Sequence, residues 1–325
     1  MKDDHTPPMS NHDTLSRPTK ITSTLSAATL LSISIYSSTT VTLLLPLILS
    51  PTLALLYYNS TLPTHHRPPL QTLLYTYLFT STLSTAALLL VQAILAYTAA
   101  YILFGSDTAW FLREFQTVTR EYDIRDDAHR AQRAAFAARP SYWVFMVFMT
   151  TVLAGCEEVQ KYCSIKFAAR YDEERRGKDE RVIVDARTYV LYGATAGIAF
   201  ATVEMWMFLV AGAAKASSNY ELVRTAMGRF CIGMAAHLLC GVGTAVNVVR
   251  KERMGMMRVV MRSALCHGVV NFGLMGFSAA RGHVGWVHPE DVMGSVICLA
   301  MSAGGIGLLG WLVWEDLQGM GLKVE

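Results

Sequence analysis

Residues 71–104 run for 34 positions without one Asp, Glu, Lys, Arg or His. Residues 292–314 do the same. Eighteen or more such residues in a row read as a helix crossing a bilayer. The composition agrees. Only 16% of the chain is Asp, Glu, Lys or Arg and 52% is hydrophobic, whereas soluble domains carry about 25% charged residues. These features exclude a soluble enzyme, a disordered protein and a secreted disulfide scaffold. A formal charge of +3 is too small to point to nucleic acid.

The expected fold is all-α: a polytopic transmembrane helical bundle of about seven spans, six to eight. Residues 1–20 read as a polar, disordered tail. Residues 21–104 hold the first membrane spans, and 21–58, broken by Pro46 and Pro51, form one span with an entry segment or two short ones. Residues 105–140 form a connector. There Phe111, Phe115, Val118 and Tyr122 recur at helical spacing among Arg113, Glu114, Arg120 and Glu121. That pattern suits an amphipathic helix on the membrane surface or an ordinary connector helix. Five apolar segments follow, near 141–165, 188–213, 230–249, 259–279 and 291–314. Residues 141–280 form the core, and 281–325 the last span and tail. With seven spans, thirteen Lys/Arg fall on each side, so the positive-inside rule assigns no orientation. The six cysteines have no zinc-type spacing and read as small buried apolar residues.

An ionisable side chain inside a span costs at least about 2.5 kcal/mol at its centre, so it marks function by default. Four consecutive spans each carry one or more. The first reads Gly155-Cys156-Glu157-Glu158-Val159-Gln160-Lys161. On a helix Lys161 can reach either glutamate, three or four residues back. Two neighbouring carboxylates project about 100° apart, so one can face a reaction centre while the other is held. A charged helix end at the interface is the alternative. The second span holds Phe200 and, four residues on, Glu204, its one charge. Gly193 and Gly197 form a small-xxx-small face, with Glu204 two turns beyond Gly197. The third places His237 between Gly233 and Gly241, and the fourth stacks His267 and Asn271 at i, i+4. A lone histidine in an apolar helix is ordinarily a satisfied core residue. Two histidines and three glutamates on four adjacent spans reverse that preference. At 1.5 Å per residue they fall in one broad layer, between about 12 and 24 Å from one face. Glutamate and histidine there suit activation of a water, directly or through a divalent metal. Two histidines and a carboxylate also make a catalytic zinc set.

EExxK at 157–161, FxxxE at 200–204, the histidine-centred span at His237 and HxxxN at 267–271 occur in this order. Together, with the stretch 192–200, they resemble the PrsW family of intramembrane proteases, related to the CAAX-processing and bacteriocin-processing membrane proteases. The resemblance covers about 140–280. It implies an integral, multi-pass endopeptidase acting on a membrane protein or membrane-anchored peptide within or beside the lipid bilayer. Glu158 or Glu157 would be the general base, with Glu158 preferred, and Lys161 would anchor the other. Glu204, His237 and His267 would orient the water or bind a divalent metal, zinc first, and Asn271 would donate to the oxyanion. The competing readings are an ion-coupled transporter built on the same cluster and a non-catalytic relative that binds membrane partners. No inverted repeat of the transporter kind is visible between the two halves.

Overall fold

The computed structural model describes residues 15–63, 67–117, 123–176, 185–215, 218–250, 255–289 and 291–320. These are almost entirely helical. Seven helical stretches are long and apolar enough to cross a membrane: Thr39–Thr61, Leu70–Gln116, Pro140–Arg175, Ala186–Ala214, Asn219–Arg250, Met256–Ala280 and Val292–Gly319. The first apolar stretch resolves into α1 (Arg17–Ser37), α2 (Thr39–Leu43) and α3 (Leu45–Thr61), with one crossing formed by α2 and α3. Ser38 starts that crossing as an N-cap, accepting from the Thr40 amide.

Next come α4 (Leu70–Phe79), α5 (Thr85–Phe104), α6 (Thr108–Thr117), α7 (Asp127–Ala137), α8 (Pro140–Phe148), α9 (Ala154–Arg176) and α10 (Ala186–Ala214). They are followed by α11 (Asn219–Gly228), α12 (Ala235–Arg250), α13 (Met256–Ala280) and α14 (Val292–Gly319). Three junctions are π-helical: Thr80–Ser84, Met149–Leu153 and Arg229–Met234. The chain divides into two compact units, 1–83 with 163–245, and 84–162 with 246–325.

In the first unit α10 is central. Every residue from Tyr192 to Thr202 is buried. A helix apolar on all sides is one packed on all sides, and the Gly/Ala-rich sequence here lets backbones approach. A Cβ on Gly193 would fall on the Gly241 backbone, and one on Gly197 on the carbonyl of His237. Gly233 makes no such close approach. It lies in the π-helical turn, where an added Cβ would meet only the Arg229 side chain, 3.6 Å away. The lower half of α10 packs Met205 and Leu209 against Val41 and Ile48.

The second unit is built on aromatic side chains. Phe104, Phe111, Phe136, Tyr142 and Phe145 form one buried cluster, with Phe111 edge-on to Phe145 at 4.8 Å. The apolar side of α6 is therefore turned into the protein rather than laid on a membrane surface. Val118, Arg120, Glu121 and Tyr122, part of that amphipathic pattern, lie outside the described residues. Gly105 breaks the path from α5 to α6 with φ 53°, a conformation glycine adopts without the Cβ penalty. Arg133, fully buried, donates to Glu114 at 2.6 Å and to the Val284 carbonyl at 2.7 Å. Leu90, Val91, Ile94, Tyr97 and Tyr101 on α5, and Val296, Leu299, Trp311 and Trp314 on α14, are exposed, an outward apolar surface that lipid covers.

Candidate active site

In the second unit, α9 begins directly after the π-helical turn, with Glu157 in its first turn and Glu158 next to it. Glu158 and Lys161 are both fully buried, with Nζ 2.5 Å from Oε1. The lysine thus pairs with Glu158, the reverse of the preferred assignment. A lysine three residues on reaches back along the same helix face, and in a buried setting the carboxylate it meets is neutralised in place. His267 of α13 brings Nδ1 to 3.1 Å from the same Oε1. A carboxylate only accepts, so Nδ1 carries a proton and is turned to Glu158, leaving Nε2 on the other side of the ring. That Nε2 stands 3.7 Å from Oε2 of Glu157. The approach of α13 depends on Gly268, where a Cβ would sit 2.8 Å from the carbonyl of Thr150 in the π-helical turn.

Glu157 has a different environment. Its Oε1 accepts from the Gln92 amide of α5 at 3.3 Å, and the same Nε2 donates to the carbonyl of Leu153, also at 3.3 Å. Its Oε2 is buried and accepts no hydrogen bond among the described residues; neither does Oε2 of Glu158. Asn271 lies half-buried one turn beyond His267 and makes no hydrogen bond to these groups among the described residues.

In the first unit, α10 sets Phe200, Glu204 and Phe208 in one row at i, i+4, i+8. Phe200 packs edge-on against the His237 ring at 4.8 Å. Glu204 Oε2 accepts from His237 Nε2 at 3.1 Å. The four-residue spacing of FxxxE therefore brings a ring and a carboxylate to one imidazole. Phe208 carries the guanidinium of Arg229, 3.6 Å above its ring, a cation–π arrangement. Arg229 Nη1 in turn stands 3.3 Å from the same Glu204 Oε2.

Each unit thus contains a cation, a carboxylate and an imidazole in series. Lys161, Glu158 and His267 form one, and Arg229, Glu204 and His237 the other. Histidines that bind metal commonly donate their second ring N–H to a carboxylate, which fixes tautomer and orientation. Metal-type donors are present in each unit. In one they are the carboxylates of Glu157 and Glu158 and the ring of His267. In the other they are His237, Glu204 and Cys240, buried one turn beyond His237. Oxygen and nitrogen donors of this kind fit a divalent metal, and the buried, unsatisfied Oε2 atoms of Glu157 and Glu158 fit the same role.

Arg229 and Gln92 did not emerge from the sequence. Arg229 stood just outside the expected third span, which in the structure starts at Asn219 rather than near 230. Gln92 is not ionisable, so the energetic cost that marks a charged residue in a span does not single it out. An amide in the middle of so apolar a run is the available signal.

The fold is that of a polytopic helical membrane protein, with a carboxylate set on a histidine in each unit. Residues 127–301, more than half of the chain, match the model of the PrsW family of intramembrane metalloproteases. The chain belongs to that family; it is an integral, multi-pass membrane protein and a peptidase, with substrates in the lipid bilayer. No curated protein and no solved structure matches it.

Proposed function

We propose that the protein cleaves peptide bonds of membrane-embedded or membrane-anchored polypeptides with Glu157 as general base. The carrying observation is the contrast between the two adjacent glutamates. Glu158 is committed to Lys161 and His267, whereas Glu157 keeps a buried Oε2 with no hydrogen-bond partner among the described residues. In the proposed reaction Glu157 takes a proton from water as the hydroxyl adds to the peptide carbonyl. It then returns that proton to the departing amine, which closes the proton balance. Asn271, on the His267 face of α13, is the candidate donor to the developing oxyanion.

His267 and His237 are held in defined tautomers by Glu158 and Glu204. Each offers a ring nitrogen to a divalent metal such as zinc, His267 with Glu157 beside it in one unit and His237 in the other. We assign Glu204 to orienting His237, because its Oε2 already takes both His237 and Arg229. A bound metal would supply Lewis-acid assistance to the carbonyl.

The test is cleavage of a reconstituted membrane polypeptide by purified protein. Loss of about 10²- to 10⁴-fold in rate for Glu157→Gln, the usual worth of a general base, is expected. A fully active Glu157→Gln protein would refute the assignment.

A further inference from the structure

Gln92 stands in the run 71–104, which has no Asp, Glu, Lys, Arg or His, and lies outside the family-matched stretch 127–301. Its side chain is half-buried on α5, in the same unit as Glu157. The amide nitrogen donates twice: to Oε1 of Glu157 and to the carbonyl of Leu153. Both partners can only accept, so the network fixes which end of the amide faces them. Leu153 is the last residue of the π-helical turn, and Glu157 lies one turn further. One side chain therefore ties the catalytic carboxylate to the backbone from which its helix departs.

We propose that Gln92 is a positioning residue for Glu157; this rests on the reading of Glu157 as the base. A neutral donor suits the task. It occupies Oε1 and fixes rotation of the carboxylate plane, so that Oε2 is the oxygen presented to water. Unlike the ammonium on Glu158, an amide carries no charge that would suppress basicity. The residue touches neither water nor peptide in this scheme, so its removal should slow the chemical step and spare substrate binding.

The experiment compares Gln92→Met, close in length but without a donor, with wild type and Glu157→Gln on the same reconstituted substrate. The expected result is a fall of about 10- to 100-fold in kcat, the size typical of lost outer-shell partners, with KM changed less than about twofold and an unaltered melting temperature. In a Glu157→Gln background the same change should cost nothing further, since coupled residues are non-additive. Gln92→Glu, which sets a second carboxylate against Glu157, should be slower than Gln92→Met. A Gln92→Met enzyme with wild-type kcat, or an equal loss in both backgrounds, overturns the proposal while an inactive Glu157→Gln leaves the base assignment standing. An active Glu157→Gln overturns both. If Gln92→Met does not accumulate, Gln92→Leu is read in the same way; failure of both to fold assigns Gln92 to structure and overturns the proposal.

Discussion

Lys161 and Glu158 form an ion pair one turn apart on α9, with Nζ 2.5 Å from Oε1 and neither residue exposed. Removing one member of a buried pair strands the other charge and costs about 3–5 kcal/mol, whereas replacing both can be neutral. Lys161→Met and Glu158→Gln should each lower the melting temperature of the purified protein sharply. The double variant should recover much of the loss. A double variant as unstable as the two single losses added together would count against this pairing.

Glu157 has no lysine or arginine partner among the described residues, so its substitution should separate chemistry from stability. Glu157→Gln keeps the Gln92 contact sterically and removes only the charge. Melting temperature should stay within a few degrees of wild type while cleavage falls about 10²- to 10⁴-fold. Thermal melting and turnover, measured on one preparation, decide it; unfolding of this variant would contradict the division of roles.

Arg229 rests on Phe208 and reaches Glu204. Arg229→Met should lower cleavage about 10- to 100-fold, as expected for a residue supporting a ligand's partner. Arg229→Lys should recover part of it, keeping the charge but losing the planar fork. Equal activity of Arg229→Met and wild type would remove Arg229 from the site.

The contact between Gly197 and the His237 backbone leaves no room for a side chain. Gly197→Leu should force α10 and α12 apart, with loss of both stability and activity. Gly304→Ala is the control. Nothing lies within 4 Å of a Cβ there, and alanine is the better helix former by roughly 1 kcal/mol, so its melting temperature should hold or rise. A tolerated Gly197→Leu would disprove the close packing.

If the histidines bind metal, chelation should abolish cleavage and zinc should restore it. Metal content per chain, measured by elemental analysis, should drop in His237→Ala and His267→Ala. Undiminished metal in both variants would exclude these rings as ligands.

The spans were legible because hydrocarbon demands long apolar runs, and the helical period placed Lys161 near a glutamate. Which glutamate it met was not legible. Positions three and four residues back are both reachable, and the choice falls to side-chain rotamers and the approach of His267. The apolar row of α6 illustrates a second limit. Phe111 and Phe115 would present the same pattern to lipid or to an aromatic core, and only the arrival of Phe136 and Phe145 distinguishes them. Arg229 and Gln92 depend on partners far along the chain, Glu204 and Glu157, for which local spacing carries no signal.

The π-helical turn at Met149–Leu153 has a consequence for how this site tolerates change. A π turn amounts to one residue more than an α-helix needs, so it sets the azimuth of everything after it. Deleting a single residue there would let the helix run on as regular α with Glu157, Glu158 and Lys161 at nearly their present azimuth, whereas keeping all the residues and closing the turn as regular α would swing the three around the axis by about 100°. All three side chains would survive that regularisation, yet point elsewhere. The chemistry of this helix is thus encoded partly in a count of residues matched to the type of turn, and a chain of the same length with an unbroken α-helix here could keep every motif letter and lose the enzyme.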